Sequence, residues 1–266
     1  MVICKLINHQ YQLLFDVYCQ MLPISFYNEI SLLTSLCHPN IVHAYGFCSE
    51  PTISLLTESF DSSSMDLYQY LQHHKNEQPD ESTLYTTTVF FATQISSALA
   101  YLESLHICHR DIAARNCLVS LNLNVKLYDL AMCNEMYADD YVLVSSVGSE
   151  NKQTRRPIRW CAWETICLNQ FTSKSDVFSF GILLWEMLTL AERPHSLLDD
   201  EQVLFNLKNT THSLMIPSYA ADLTDLILSC WRKYDYDRPA FYQINHLLNQ
   251  LQQLLSMKSN NYQQID

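Results

Sequence analysis

The chain has 266 residues, with 28 acidic against 16 basic side chains and a formal net charge of −12. Its hydrophobic share of 48% is enough for a packed core and too high for a disordered chain, and its acidic balance is a poor match for a nucleic-acid backbone. No apolar run approaches the roughly 18 residues that read as a membrane span, residues 1–10 lack a signal-peptide pattern, and the ten cysteines contain no Cys-x-x-Cys pair, as suits a reduced intracellular domain. Only three glycines occur, where average usage of about 7% would give roughly nineteen. The sequence therefore holds no Gly-x-Gly-x-x-Gly and no Walker-type phosphate loop.

In chain order, Val2–Leu6 is a short apolar strand carrying Lys5. Phe26, Ile30 and Leu33 mark one face of a helix over Phe26–Leu36. Thr52–Thr57 reads as a strand, and a serine-rich hinge near Asp61–Ser64 precedes Met65–Leu71. Phe91, Ile95, Ala98, Leu99 and Leu102 form the stripe of an amphipathic helix, and Val125 and Leu127 alternate as a short strand. Val177–Leu190 is apolar almost all round, the pattern of a buried central helix. Two more stripes follow, Leu223–Trp231 and Ile244–Leu255. The organisation predicted is a small strand-plus-helix lobe over residues 1–60, a large helical lobe over 61–257, and a loose polar tail over 258–266.

One stretch concentrates polar chemistry: His109-Arg110-Asp111-Ile112-Ala113-Ala114-Arg115-Asn116, followed by Asp129-Leu130-Ala131 behind the Val125–Leu127 strand. This arrangement resembles the catalytic core of the protein kinases. Phosphoryl transfer needs a carboxylate to receive the hydroxyl proton, and an amide and a second carboxylate to hold Mg²⁺ on the phosphates. The resemblance implies a two-lobed α+β kinase fold with a truncated small-lobe sheet. It makes Asp111 the base, Asn116 and Asp129 the metal ligands, and ATP and Mg²⁺ the cofactors. Taken alone, Lys5 and Glu29 read as an exposed strand lysine and a solvated helix glutamate; in register with the motif they resemble the kinase lysine–glutamate pair. Thr57 resembles the gatekeeper, Glu58, Ser59 and Phe60 the adenine-binding hinge, and Leu118 the floor of the adenine pocket. Glu164 and Arg238 resemble the family's buried structural ion pair.

Arg115 in the catalytic loop and Pro157-Ile158-Arg159-Trp160 are similar to tyrosine-kinase signatures, with Arg115 supporting the substrate hydroxyl. The segments Arg115–Val119, Tyr137–Tyr141, Pro157–Glu164, Phe171–Val177 and Leu228–Arg232 resemble the discoidin domain receptor family of tyrosine kinases. That resemblance implies the cytoplasmic domain of a receptor at the plasma membrane, attached to it only through parts absent from this sequence. Its partners would be protein tyrosine substrates and phosphotyrosine-binding adaptors, with no nucleic acid. Tyr137 and Tyr141 stand where the family places regulatory tyrosines; a phosphate there adds roughly −1.5 to −2 charge, and Arg110 is its expected partner. The chain departs from the family at Ile3, where an alanine is usual, and at Asp129-Leu130-Ala131 in place of Asp-Phe-Gly. These departures keep a second function open, a catalytically impaired pseudokinase acting as a binding module.

Overall fold

The computed structural model describes residues 2–6, 32–48, 54–58, 64–128, 134–145, 153–209 and 214–263. Strands β1 (Val2–Leu6), β2 (Ala44–Cys48) and β3 (Ser54–Glu58) form an antiparallel sheet in the order β1-β3-β2. The register sets Ile3 opposite Thr57 and Lys5 opposite Leu55. A bulge interrupts β2 between Ala44 and Gly46, where Gly46 takes φ +152°. An added Cβ there would meet nothing within 4 Å, so the backbone angle and not crowding calls for glycine. Of the helix expected over Phe26–Leu36, residues 32–35 are described and are helical, and Leu36 beyond them is buried. Residues 52–53 and 61–63, parts of the expected strand and hinge, lie outside the described residues.

Asp66 ends the two-residue strand β4 (Met65–Asp66) and caps helix α1 (Leu67–Glu77), accepting the Gln69 N–H at 2.8 Å. Asp80 caps α2 (Glu81–Ser104) through the Thr83 N–H at 2.9 Å. Strands β5 (Cys117–Val119) and β6 (Val125–Leu127) join β4 in a second antiparallel sheet. This sheet meets the chain leading into β2: the Val42 N–H donates to the Leu127 carbonyl, and the Leu127 N–H to Asn40, both at 2.8 Å. A third pair, β7 (Val142–Ser145) with β8 (Gln153–Arg156), precedes the short helix α3 (Trp163–Cys167).

Helix α4 (Ser173–Leu188) is the centre of the large lobe. Thr172 and Ser175 cap it reciprocally, and every residue from Ser175 to Leu188 is buried. The apolar sequence of this segment predicts that position. Around α4 lie α5 (Asp200–Asn209), α6 (Ala221–Cys230) and α7 (Phe241–Gln263). Gly181 permits the closest approach, since a Cβ there would sit 2.7 Å from Trp231 Nε1 and 2.8 Å from Cys230 Cβ. Helix α7 runs along α2, where Asn245 Nδ2 donates to the Thr93 carbonyl at 3.0 Å and to Ser96 Oγ at 2.9 Å. Residues 258–263 of the expected loose tail are helical, because α7 continues to Gln263; residues 264–266 lie outside the described residues. Neither glycine nor proline follows Leu255 to stop the helix, and polarity alone does not end one.

Scarcity of glycine shows in the backbone. Gln78, His106, Arg110, Leu123, Asn169, Leu190, Ala191 and His195 all take positive φ, a region that side chains with a Cβ adopt at a cost. Among the described residues no helix is long and apolar enough to cross a membrane.

Candidate active site

The His109–Asn116 loop is held from below by two carboxylates of α4. Asp176 accepts the His109 N–H at 2.7 Å and the Arg110 N–H at 3.0 Å. Glu186 accepts the Ala114 N–H at 3.1 Å. Burial pushes both carboxyls up to about 7, although the backbone donors and nearby arginines oppose it. The two amides on Asp176 fix the bend at Arg110, which takes φ +71°.

Above this support, Asp111 is fully engaged. Its Oδ1 accepts Arg115 Nη2 at 2.6 Å, and its Oδ2 accepts the Tyr141 hydroxyl at 2.5 Å. Arg115 closes the cluster: Nε donates to the Tyr141 oxygen at 3.0 Å, and Nη1 lies 3.3 Å from Asp140 Oδ2. Its guanidinium carbon sits 4.3 Å from the Trp160 ring centre and 4.9 Å from that of Tyr141. Burial works against the Arg115 charge, but the Asp111 and Asp140 carboxylates outweigh it and raise the pKa. Burial also raises the Tyr141 phenol, with Asp111 adding to it, so the hydroxyl keeps its proton and donates. Tyr137 is held in the same way one turn earlier, its hydroxyl donating to Asp66 Oδ2 at 2.6 Å.

Asn116 donates from Nδ2 to the Asp111 carbonyl at 2.8 Å, while its Oδ1 is buried without a hydrogen-bond partner among the described residues. A buried amide oxygen with an unused lone pair is the donor a hard cation such as Mg²⁺ takes, so this residue fits the metal. The other expected ligand, Asp129, lies outside the described residues, as do Glu29, Ser59, Phe60 and the Lys5 side chain.

On the adenine side, Leu118 is half-buried on β5 opposite Lys126 and Asp66. Thr57 and Glu58 end β3. Glu58 is tied inward: Oε1 accepts Lys126 Nζ at 2.5 Å and the His43 N–H at 2.9 Å, and its own N–H donates to the His43 carbonyl. Burial works to raise this carboxyl, and those bonds outweigh it and hold it below the usual range.

The structure thus brings together Asp111, Arg115, Asn116 and Tyr141. It does not bring Arg110 to either tyrosine; the exposed Arg110 guanidinium lies 5.2 Å from the Phe171 ring centre, and that of Arg156 lies 4.5 Å from the same ring. The expected Glu164–Arg238 pair forms, with bonds of 2.5 and 3.1 Å in the large lobe. Sequence reasoning missed Glu186 and the anchoring role of Asp176. Their signal was present: a carboxylate inside an otherwise apolar buried helix is retained only where something bonds it.

A loop carboxylate bonded to an arginine four residues on, with a buried asparagine beside it whose Oδ1 has no partner among the described residues, is the arrangement expected of a protein-kinase site. Residues 19–248 match the model of the family described as protein tyrosine and serine/threonine kinase, and the chain belongs to that family. Among curated relatives, it is 36% identical over 239 residues to the discoidin domain-containing receptor tyrosine kinase B of Caenorhabditis elegans, covering 85% of this chain and 28% of that protein. It is 33% identical over 245 residues to the human epithelial discoidin domain-containing receptor 1, covering 84% and 26% respectively. It is also 36% identical over 222 residues to the human cytoplasmic tyrosine-protein kinase BMX, covering 82% of this chain and 30% of that protein. The chain therefore spans less than a third of these relatives' own length.

Proposed function

We propose that this chain is a tyrosine-kinase domain that transfers the γ-phosphoryl group of ATP to protein tyrosine, with Asp111 as base, Arg115 as the group supporting the substrate hydroxyl, and Asn116 with Asp129 as Mg²⁺ ligands. The observation that carries this reading is the Tyr141 phenol, bonded at once to Asp111 Oδ2 and Arg115 Nε. A substrate phenol in the same position would have its proton aimed at the base and its oxygen steadied by the guanidinium. Mg²⁺, when bound, neutralises charge on the transferring phosphates. Arg115 holds Asp111 Oδ1, leaving Oδ2 to take the proton as the phenol oxygen bonds to phosphorus and the bond to the β-phosphate oxygen breaks, releasing ADP. Lys5 with Glu29 would grip the phosphates, and Thr57, Glu58, Ser59, Phe60 and Leu118 would surround the adenine.

Similarity to receptors named for a discoidin domain supports placing this domain in the intracellular part of a receptor at the plasma membrane, with protein tyrosines as substrates and phosphotyrosine-binding adaptors as partners. Tyr137 and Tyr141 are the proposed regulatory sites and Arg110 their phosphate partner. A second reading, a pseudokinase binding module, is favoured by Ile3 lying opposite Thr57 at the adenine site. One assay separates the two: transfer from ATP to a tyrosine peptide and to its serine counterpart, with Asp111→Asn as control. Loss of a general base costs about 10²–10⁴-fold. Transfer to tyrosine that disappears in Asp111→Asn supports the kinase; undiminished transfer overturns the site, and no transfer or Mg-ATP binding by the unaltered chain supports the binding module.

A further inference from the structure

We propose that His73, His74 and Glu77, on the last turn of α1, form a binding site for a divalent transition-metal ion, zinc(II) by the chemistry of its donors. The three side chains lie outside the phosphotransfer cluster and have no part in it. His73 Nδ1 is 3.6 Å from Glu77 Oε1, and His74 Nε2 is 3.6 Å from Glu77 Oε2. One donor atom from each residue can be chosen so that the three lie within 4.8 Å of one another.

Protonation is settled for one ring by its other nitrogen. His74 Nδ1 is 2.9 Å from the Tyr70 carbonyl oxygen, which only accepts, so Nδ1 carries the proton. Nε2 then faces the Glu77 carboxylate, 3.6 Å from Oε2, and without a second proton it is a bare lone pair. Two acceptors facing each other at this distance repel unless a positive charge lies between them, and that charge is either a second proton or a metal ion. The carbonyl bond and the stacking of the ring on Tyr70, with centres 4.0 Å apart, hold His74 as outer-shell partners hold ligating histidines.

Spacing favours the metal. Zinc bonds nitrogen and oxygen at about 2.0–2.2 Å, which separates neighbouring tetrahedral ligands by about 3.4 Å. Each histidine is already close to this distance from one Glu77 oxygen, though not the same one, and side-chain rotation must bring one donor per residue, now within 4.8 Å, to that spacing. The site also lies at the C-terminal end of a helix, where a cation meets outward-facing carbonyls. Lys75, the neighbouring cation, is directed to Glu192 at 4.0 Å and leaves Glu77 to the imidazoles. Two imidazoles and one carboxylate select zinc-like ions over Mg²⁺ or Ca²⁺, which take oxygen donors, so this site would not compete for the metal of phosphoryl transfer. Water completes the fourth position.

The test is titration of the full chain with Zn²⁺ by calorimetry, alongside His73→Ala, His74→Ala and Glu77→Gln, with circular dichroism to verify folding. The three residues are at the surface, so the variants should fold. The expected result is one zinc per chain at the unaltered site and affinity at least about tenfold weaker in each variant, ligand loss costing no less than loss of an outer-shell partner. Co²⁺ is titrated in parallel and should give visible bands of a nitrogen–oxygen site. A thiolate-to-cobalt charge-transfer band would assign the metal to cysteines and overturn the proposal. So would zinc binding indifferent to the three substitutions, or no binding at all, which would leave a proton-held ion pair.

Discussion

The Tyr141 hydroxyl and the Asp111 carboxylate are bonded at 2.5 Å in a buried setting, so the chain's own loop occupies the position proposed for the substrate phenol. If Asp111 is the base as proposed, the contact orients a tyrosine for transfer and also blocks any other tyrosine from Asp111. Tyr141→Phe removes the bond while keeping the ring against Arg115. A hydrogen bond to a charged group contributes about 1.5–3 kcal/mol, so the initial rate on an added tyrosine peptide should rise by about tenfold or more. The rise should be present before any loop phosphorylation, and later activation by phosphorylation of this position should be lost. An unchanged initial rate would show that Tyr141 does not restrain the base. Phosphate on Tyr141 would be repelled by Asp111, and the proposed partner Arg110 is exposed but would have to leave the Phe171 ring to receive it.

Stability should carry a pH signature from below the catalytic loop. Burial raises the folded-state pKa of Glu186 from the ordinary 4.5 to about 7. Between those values the folded chain keeps a proton that the unfolded chain has lost. The contribution is therefore complete below about pH 4.5 and disappears as pH rises through about 7. Glu186→Gln keeps an oxygen for the Ala114 N–H and cannot titrate. The melting temperature of the variant minus that of the unaltered chain should increase from about pH 5 to about pH 8. A flat difference would mean that Glu186 does not titrate across that range. Asp176 also titrates near 7, so a residual slope is expected in the variant.

The helical lobe was legible because its signals are local. Continuous apolar character marks α4, and spaced stripes mark α2, α6 and α7. The loop motif singled out Asp111, Arg115 and Asn116 through its resemblance to the kinases, and the structure brings the three together. The Tyr141–Asp111 bond was not legible, since it joins residues thirty positions apart through the path of a loop. Nor was the way Glu58 turns from the adenine side to Lys126 and His43, because that depends on where β6 meets the small sheet. The end of α7 was misread because polar composition suggested a tail, although those residues lack a helix stop.

Leu123 sits at a backbone angle made for glycine. The turn between β5 and β6 closes through Ser120 N–H to Asn124 and Leu123 N–H to Ser120, both at 3.0 Å, and Leu123 takes φ +59°. This is the left-handed position of a three-residue hairpin loop. Its side chain is only about one-third exposed, so the glycine change also loses some packing, while its carbonyl, which accepts Gln94 Nε2 at 3.0 Å, survives any substitution. Leu123→Gly should stabilise the chain by about 1 kcal/mol, the typical cost of left-handed backbone for a residue with a Cβ. Leu123→Asn should move stability in the same direction by less. Equilibrium urea unfolding reads both, and a destabilised glycine variant would show that Leu123 packing outweighs its backbone strain.

Glu164 and Arg238 form a fork of two bonds, 2.5 and 3.1 Å long, with both side chains buried. Arg238 spends its other donors on the carbonyls of Arg232, Lys233 and Lys174, so its guanidinium ties α3, α4 and the loop before α7 together. Removing one partner leaves the other charge buried without compensation, at a cost of about 3–5 kcal/mol. Arg238→Met should therefore lower the urea midpoint sharply. Glu164→Gln, which keeps an acceptor oxygen, should lower it less. The double variant Glu164→Gln with Arg238→Met should be more stable than the sum of the two single losses, because no unpaired charge remains. Strict additivity would show that the bond is not the source of the cost and would assign the loss to the Arg238 carbonyl contacts alone.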